Sequence, residues 1–312
     1  MMLPSPFAVT APPLAAEKFR DPATTAKGEP RASVALRGLD TLWFNTGTLC
    51  NLSCATCYIE SSPTNDALAY LTLAEMTAYL DEIAREGLPT REIGFTGGEP
   101  FMNREAPAMI ALALDRGFEV LVLTNAMRPM RRFEAALLAL PRERLTMRVS
   151  LDHYTKLVHE AERGVGTWDI AIDGLRWLSA NGFRIAIAGR HLGTESDADA
   201  RGGYAALFAG LGLPEPDLVL FPEMDAAADV PEISTACWGI LGVSLDSIMC
   251  ASSRMVVRRK GAAAPAVLAC TLLAYDPQFE LSATLAEAAR PVPLNHPHCA
   301  RFCVLGGASC SG

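Results

Sequence analysis

The chain has 312 residues, of which 50% are hydrophobic, and its formal net charge is −8. A chain of this length and composition can bury a large core, which excludes an intrinsically disordered protein. The acidic balance argues against nucleic acid as a partner, and no apolar run is long enough to cross a membrane. No secretory signal opens the sequence, so its nine cysteines predict metal ligation in a reducing, cytoplasmic setting.

The predicted elements begin after an irregular N-terminal arm, residues 1–37, which is rich in Pro, Ala and Thr. We expect this arm either to lie on the domain that follows or to be a disordered lead. Residues 38–230 alternate between short apolar runs, typical of strands, and amphipathic runs, typical of helices. The predicted strands are 41–46, 91–96, 118–124, 146–151, 183–188 and 218–221.

Helix signals separate these strands. Thr72 and Glu75 form a capping box, and Gly87 fits the end of the helix that the box opens. Thr167 is expected to cap a later helix. Further helices are expected over residues 104–116 and 204–211. Six strand–helix repeats predict an α/β fold in which a parallel sheet curls into a barrel, and the length that remains is too short for eight strands.

Three cysteines follow the first predicted strand at the spacing Cys-x3-Cys-x2-Cys: Cys50, Cys54 and Cys57. Three thiolates on one short loop can hold three irons of a cubane iron–sulfur cluster and leave the fourth iron open to a ligand. A structural zinc site would need a fourth ligand close by, and the next cysteine is Cys237. Disulfides suit small secreted chains, which this chain is not. The spacing therefore favours a [4Fe–4S] cluster with an open iron.

A second motif, Gly97-Gly98-Glu99-Pro100, follows the second predicted strand. Paired glycines allow positive φ angles and a close approach of the backbone to a ligand, and a glutamate can accept hydrogen bonds from a ligand ammonium. With the three cysteines upstream, this motif makes the chain resemble the radical S-adenosylmethionine (SAM) superfamily. Members of that superfamily carry both motifs after the first two strands of a partial (β/α)6 barrel, so the resemblance implies this TIM-like fold here.

The resemblance also implies an arrangement of cofactors. The open iron would chelate the amino and carboxylate groups of SAM. Gly97, Gly98 and Glu99 would hold the methionyl ammonium, with Pro100 completing the motif, and Tyr58 would lie near the adenine. One electron, from a reductant such as flavodoxin or ferredoxin, would cleave SAM to a 5′-deoxyadenosyl radical that abstracts a hydrogen atom from the substrate.

Polar residues follow other predicted strands, at the edge where the reactive groups of parallel barrels gather. Asn125 follows the third strand, and Ser150 and Asp152 follow the fourth. The family uses Ser or Asp after the fourth strand to bind the SAM ribose, so Ser150 and Asp152 are candidates for that contact. The alternative is that they cap the next helix.

Arg163 lies in a segment, Glu160-Ala161-Glu162-Arg163-Gly164, that resembles part of the radical SAM maturases with extra clusters. In this chain, Glu160 replaces the aspartate that is usual there. The resemblance implies that Arg163 pairs with the SAM carboxylate, a role that suits the fork of donors on a guanidinium group. The alternative is a surface salt bridge with Glu160 or Glu162.

The C-terminal segment, residues 231–312, contains the other six cysteines. Its pattern Cys250-x10-Gly261-x8-Cys270 resembles the opening hairpin of the Twitch/SPASM extensions, and this resemblance implies a small iron–sulfur extension with a second, auxiliary [4Fe–4S] cluster. The candidate ligands, of which four are needed, are Cys250, Cys270, Cys299, Cys303 and Cys310. The alternative is a zinc ion held by His296, His298, Cys299 and Cys303.

Two acids follow the sixth predicted strand. Glu223 or Asp225 could act as a base on the substrate radical or hold a substrate amine. Auxiliary clusters in the family pass electrons or bind substrate, so the resemblance favours oxidation or cross-linking of a peptide. A radical SAM enzyme that acts on a small molecule is one alternative. An iron–sulfur electron carrier is another, although carriers normally close all four irons with cysteine.

Overall fold

The computed structural model describes residues 12–192, 195–222 and 227–307. The strands are β1 (Ser33–Val34), β2 (Thr41–Asn45), β3 (Glu92–Thr96), β4 (Glu119–Thr124), β5 (Leu145–Ser150), β6 (Arg184–Arg190), β7 (Asp217–Phe221), β8 (Ser253–Val257), β9 (Ala266–Leu268), β10 (Glu280–Ser282) and β11 (Val292–Pro293). The α-helices are α1 (Leu73–Glu86), α2 (Ala106–Asp115), α3 (Arg128–Arg131), α4 (Glu134–Leu138), α5 (Lys156–Arg163), α6 (Thr167–Ala180), α7 (Asp197–Leu211) and α8 (Cys237–Leu241).

Strands β2 to β7 are the six predicted strands, and each begins and ends within two residues of its prediction. They lie side by side in chain order, and every neighbouring pair is parallel. β4 shows the sequence basis, because its apolar run Val-Leu-Val-Leu is almost wholly buried, as in strands covered on both faces. The prediction of an α/β fold with a parallel sheet is confirmed.

The sheet extends beyond these six strands. β8 pairs in parallel with β2, so that Thr41 lies opposite Glu92 on one side and Ser253 on the other. β9 and β10 continue the sheet in antiparallel pairing, and β8 with β9 forms the hairpin expected between Cys250 and Cys270. The complete order is β10-β9-β8-β2-β3-β4-β5-β6-β7. The C-terminal extension therefore shares one sheet with the predicted barrel.

The side chains of the sheet pack into two cores. Successive residues of a strand face opposite sides, and in β2 the side chains of Leu42 and Phe44 enter the first core while Trp43 enters the second. All three are fully buried. The first core contains residues of α1, α2 and α6. The second contains residues of the extension, such as Met255 and Phe302. Barrel helices thus cover one face of the sheet, and the extension packs on the other.

The described part of the N-terminal arm lies against the C-terminal extension. β1 pairs antiparallel with β11, with Val34 opposite Val292. The Arg31 guanidinium binds the Glu232 carboxylate, and both side chains are nearly inaccessible to solvent. Of the two outcomes expected for the arm, its residues from 12 onward follow the first, because they are packed on the rest of the chain.

α1 begins as predicted. The Thr72 hydroxyl accepts from the Glu75 amide at 3.2 Å, the Glu75 carboxylate accepts from the Thr72 amide at 2.9 Å, and Gly87 ends the helix with a φ of 61°. Among the described residues, no helix has both the length and the apolarity needed to cross a membrane.

Two helix starts differ from their predictions. Thr167 is the first residue of α6 and not its cap, because its hydroxyl donates to the Gly164 carbonyl at 2.7 Å while Gly166 takes the cap position. α7 begins well before residue 204, because the Ser196 hydroxyl accepts from the Asp199 amide at 3.1 Å and caps the helix there.

Candidate active site

The three motif cysteines lie on the loop after β2, at the carboxyl ends of the parallel strands. Cys50 is buried, and Cys54 and Cys57 are half-buried. All three line one cavity together with Gly97 and Gly98, which belong to the loop after β3. The two sequence motifs therefore meet at the edge of the sheet where parallel barrels place their reactive groups.

The paired glycines let the loop after β3 pack directly on the cysteine loop. The Gly98 amide donates to the Gly47 carbonyl at 2.8 Å, and the Glu99 amide donates to the Leu49 carbonyl at 3.2 Å. A β-carbon on Gly98 would lie 2.4 Å from the Leu49 oxygen, and one on Gly97 would lie 2.5 Å from the Gly47 oxygen. Gly97 also has a φ of 142°. Glycine is required at both positions to bring the two motifs together.

The cysteine loop is held from another side by α5. The Ala55 amide donates to the Glu162 carbonyl at 2.9 Å, and the Thr56 hydroxyl donates to the Glu162 carboxylate at 2.7 Å. Arg190, at the end of β6, donates through Nη2 to the Thr56 carbonyl at 3.1 Å. These contacts hold the loop between the second and third cysteines in place.

Backbone amides donate to two of the three sulfurs. The Leu52 amide lies 3.4 Å from Cys50 Sγ, and the Ser61 amide lies 3.3 Å from Cys57 Sγ. Burial raises the pKa of Cys50 to about 12 and also raises the pKa of Cys54. Ligation of iron would therefore require these thiols to lose their protons, and the amide donors favour the thiolate form.

Glu99 is fully buried, and its carboxylate is bonded within the chain. It accepts from the Thr124 hydroxyl and the Asn125 amide, both at 2.8 Å, and from the Phe101 amide at 3.3 Å. Burial raises the pKa of Glu99 to about 7, against the effect of these hydrogen bonds. Glu99 thus joins the loop after β3 to the end of β4, and Pro100 follows it as the buried first residue of a short helical turn.

Asp152 is the centre of a buried group of charges. Its carboxylate accepts from Arg163 Nε at 2.8 Å and Nη2 at 3.1 Å, and Arg190 Nε lies 3.3 Å away. Burial alone would raise the pKa of Asp152, but the two guanidinium groups hold that pKa at about 2. The group has one more positive than negative charge, and both arginines line the cavity. An anionic ligand is favoured there.

This geometry adds to two expectations from the sequence. Both oxygens of Asp152 bind arginine, so its carboxylate positions the guanidinium groups, and its contact with the SAM ribose stays a prediction. Arg163 pairs with Asp152, whereas Glu160 accepts from the Gly166 amide and Glu162 accepts from Thr56. Arg163 therefore forms its salt bridge with Asp152 and lines the cavity, rather than forming a surface salt bridge with Glu160 or Glu162.

Three further predicted residues line the same cavity: Tyr58, Asn125 and Ser150. Asn125 Nδ2 donates to Asn51 Oδ1 at 2.9 Å and so joins the end of β4 to the cysteine loop. The Ser150 hydroxyl makes no hydrogen bond within the part of the chain that the structure describes, and it is available to a ligand. The donor set fits the implied cofactors, because three thiols suit three irons, and hydroxyl and guanidinium groups suit the polar parts of SAM.

Other cysteines come together in the second core. Cys250, Cys270 and Cys299 are buried there, and Cys303 packs against this core. Burial raises the pKa of Cys250 to about 11 and raises that of Cys299 as well, with a further contribution from the neighbouring thiols of Cys270 and Cys250. Cys299 and Cys303 belong to one π-helical segment, Cys299–Leu305, a form that often occurs at functional sites.

Some predicted residues cannot be placed. Glu223, Asp225 and Cys310 lie outside the described residues. Within residues 12–192, 195–222 and 227–307, no three His, Cys, Asp or Glu side chains are arranged to hold a single metal ion. The four residues considered for zinc are thus not gathered around one ion: His296, His298, Cys299 and Cys303.

Two contributors to the site have no specific role predicted from the sequence, although Arg190 is among the polar residues expected at the strand ends. Arg190 completes the charge group around Asp152, and its position at a strand end is the only signal of this role in the sequence. Tyr275, from the extension, donates to the Ile59 carbonyl at 2.8 Å and accepts from Asn65 Nδ2 at 3.1 Å. No local sequence pattern predicts this contact, which connects the extension to the segment after the third cysteine.

Comparisons with known proteins agree with this geometry. The profile of the Radical SAM superfamily matches residues 44–201, which contain both motifs and Arg163. AlbA, a biosynthesis protein of the antilisterial bacteriocin subtilosin from Bacillus subtilis (strain 168), is 32% identical over 140 residues, which are 45% of this chain and 30% of AlbA. An S-adenosylmethionine-dependent nucleotide dehydratase from Selenomonas ruminantium is 34% identical over 76 residues, which are 24% of this chain and 26% of that protein. The aligned part of the chain thus spans less than a third of either relative.

A solved structure shares the fold. Streptococcus suis SuiB bound to its precursor peptide SuiA has a TM-score of 0.60 at 12% identity, over 82% of this chain and 64% of SuiB. This likeness confirms the partial-barrel α/β fold with a small C-terminal region. The superfamily profile covers more than half of the sequence and includes the residues that line the cavity from Cys50 to Arg190. The chain belongs to the radical SAM superfamily.

Proposed function

We propose that the protein generates a 5′-deoxyadenosyl radical from SAM and abstracts a hydrogen atom from a peptide, for its oxidative or cross-linking maturation. The observation that carries this proposal is the single cavity in which Cys50, Cys54 and Cys57 meet Gly97 and Gly98 of the second motif. When bound there, a [4Fe–4S] cluster and SAM supply the radical chemistry. The chain supplies the ligands, the charge and the shape of the cavity.

Arg163 and Arg190 set the charge of this cavity. Together with Asp152 they leave one surplus positive charge beside the cysteine loop, which suits the SAM carboxylate. Because Asp152 already holds both side chains, little side-chain entropy is lost when an anion binds them. We assign carboxylate recognition to Arg163 and Arg190, and we assign the positioning of both to Asp152.

The uncharged residues of the lining have complementary roles. The available hydroxyl of Ser150 suits the SAM ribose, and Tyr58 beside the third cysteine suits the adenine. Gly97 and Gly98 expose the main chain that receives the methionyl ammonium. Glu99 is proposed to contribute to the same ammonium site, and its hydrogen bonds to the end of β4 keep this glycine loop in place.

A peptide substrate is supported by the relatives. SuiB binds a precursor peptide, and AlbA takes part in the biosynthesis of a bacteriocin. The shorter match to a nucleotide dehydratase is the observation that favours a small-molecule substrate instead. Glu223 and Asp225 follow β7 in the sequence, and we propose one of them as the base or the amine-binding group for the substrate.

The extension, residues 231–312, is proposed to hold an auxiliary [4Fe–4S] cluster beside the barrel of residues 38–230. Cys250, Cys270 and Cys299 are the proposed core of its ligand set, supported by their burial in one place. A closed, apolar environment of this kind limits the access of solvent to a cluster. Cys303 or Cys310 would supply the fourth thiolate.

The test is the formation of 5′-deoxyadenosine from SAM and dithionite after anaerobic reconstitution, measured by liquid chromatography. The matched variant is Cys50/Cys54/Cys57→Ala, the barrel triple variant. We expect product from the wild type and none from this variant. A library of synthetic peptides should raise the rate, and a mixture of nucleoside triphosphates should not.

Two other outcomes of this assay would favour a different function. Stimulation by the nucleotides alone would replace the peptide with a small-molecule substrate. If the wild type forms no 5′-deoxyadenosine under strong reductant although its iron is bound, the radical activity is contradicted and an electron carrier is favoured.

A further inference from the structure

Among the described residues, the extension buries one arginine that has no acidic partner. Arg254, in β8, is only 1% exposed, so its guanidinium group is shielded from water. Its hydrogen bonds go to main-chain carbonyl oxygens, namely those of Cys250 at 2.7 Å, Ser253 at 2.8 Å, Ala288 at 3.0 Å and Arg290 at 3.2 Å. Among the residues that the structure describes, no carboxylate forms a salt bridge with it.

Two other arginines, whose side chains are largely shielded from water, are compensated by acids. Arg31 binds Glu232, and Arg163 binds Asp152. A charge that is removed from water is unfavourable by several kcal/mol unless an opposite charge lies close to it. The carbonyl groups around Arg254 satisfy its N–H donors, but they have no net charge. The positive charge of Arg254 must therefore be balanced by a negatively charged group other than a carboxylate.

The groups beside Arg254 that can become anionic are cysteines. Its Nη1 contacts the main chain of Cys250, and its charge acts on the thiols of Cys250 and Cys270. Cys299 is buried in the same core. Neutral thiols would leave Arg254 uncompensated. Thiolates that ligate a cubane cluster would not, because such a cluster with its four thiolates is an anion.

We propose that Arg254 is the counter-charge of the auxiliary cluster and that it raises the reduction potential of that cluster. The inference rests on the auxiliary cluster proposed above. Reduction adds one electron and makes the cluster more negative, so a fixed positive charge beside it stabilises the reduced form more than the oxidised form. Burial strengthens the effect, since the charge and the cluster interact without screening by water. Arg254 touches the ligands and not the iron, so it is a positioning residue.

The test begins with the barrel triple variant, in which the auxiliary cluster is the expected iron site. Iron and sulfide per chain are measured after anaerobic reconstitution, and about four irons would establish the cluster. No iron would overturn both the cluster and the role of Arg254. The wild-type assay of 5′-deoxyadenosine would still decide the SAM chemistry, so the two failures are distinguishable.

Substitutions at Arg254 are then made in that full-length variant, and the potential is measured by redox titration followed by electron paramagnetic resonance. For Arg254→Gln and Arg254→Met, we expect the reduction equilibrium constant to fall about tenfold, a shift of about 59 mV to more negative potential. Arg254→Lys keeps the charge and should stay near the parent. Arg258→Gln is the matched control, because Arg258 lies in the same region but pairs with Glu75 at 3.0 Å.

The remaining outcomes also decide the question. Equal potentials for all Arg254 variants would overturn the inference. If the Gln and Met variants bind no iron while the Lys variant does, the positive charge is required for the cluster to form, which supports it. If the Lys variant also binds no iron, the carbonyl contacts of the guanidinium are structural and the inference fails.

Discussion

The two cysteine sites differ in what surrounds their sulfur atoms. At the barrel site, Cys54 and Cys57 are partly exposed to solvent, and Arg163 and Arg190 line the cavity that contains them. In the extension, Cys250 and Cys299 are packed in an apolar core, and within the described residues the buried Arg254 beside Cys250 is bonded only to main-chain carbonyls. The difference shows that the presence of cysteine ligands alone does not tell what an iron–sulfur site does. Thiols in an accessible, charged cavity suit a centre that binds a second molecule, whereas thiols sealed in a core suit a centre that passes electrons.

The largest expected effect is at the barrel site. In the barrel triple variant, iron should fall from about eight to about four per chain, and 5′-deoxyadenosine formation should be lost, because the open cluster has no other ligands. Iron analysis and a product assay measure the two effects. Residual product formation would contradict the assignment of the barrel cysteines.

The matched change in the extension is Cys250/Cys270/Cys299→Ala. Iron should again fall to about four per chain, but reductive cleavage of SAM should persist while peptide modification is lost. If this variant cleaves no SAM although it keeps about four irons, the two sites are not separable in function and the comparison fails.

Asp152→Asn tests the charges of the barrel cavity. We expect the free energy of unfolding to fall by about 3–5 kcal/mol, because Arg163 and Arg190 would be left buried without their counter-charge. Urea denaturation of the barrel triple variant, with and without the substitution, measures the effect and removes any contribution from the barrel cluster. The control is Asp197→Asn in the exposed pair with Arg201, for which the loss should stay below about 1 kcal/mol. Equal losses for the two substitutions would refute the buried charge group.

Gly98→Ala tests the packing of the two motif loops. Its β-carbon would meet the Leu49 carbonyl oxygen at 2.4 Å, so we expect the free energy of unfolding to fall by about 1–3 kcal/mol and SAM cleavage to decrease with it. The control is Gly202→Ala in α7, where nothing lies within 4 Å of the new atom. That change should stabilise the protein by up to about 1 kcal/mol, because alanine is the better helix former. If both substitutions have the same sign, the steric argument is wrong.

The pH dependence of stability sharpens the role of Asp152. Its pKa is lowered from 3.8 to about 2 because Arg163 and Arg190 outweigh the effect of burial. The ionised carboxylate therefore stabilises the fold above pH 3.8, and this contribution of about 2 kcal/mol is lost as the pH falls through 2. The unfolding free energies of the barrel triple variant with and without Asp152→Asn are compared from about pH 6 downward. Their difference should shrink between about pH 4 and pH 2, and a constant difference would contradict the salt bridge.

Much of the fold could be predicted because its signals are local. The capping box of Thr72 and Glu75 and the stop at Gly87 involve neighbours in the chain, and α1 has the expected bounds. The buried strands are predicted by continuous apolar runs such as that of β4. Both site motifs are short as well, so their meeting at one edge follows from strand order alone.

The parts that escaped prediction depend on distant residues. β8 joins the sheet beside β2, although more than two hundred residues separate Thr41 from Ser253. The ion pairs of Asp152 with Arg163 and Arg190, which approach it from two different elements, are a second example. Both the strand pairing and the ion pairs join residues that are not neighbours in the chain, and neither periodicity nor spacing in the sequence predicts such contacts.

The position of β8 has a consequence for the barrel itself. β2 is an apolar strand, and β8 covers the N–H and C=O groups along one of its sides. Without β8, that side would be an exposed edge, which is a template for pairing with the edge of another molecule. A chain cut after residue 230 would lack β8 and leave this side of β2 unpaired, so we expect it to aggregate more readily than the full chain.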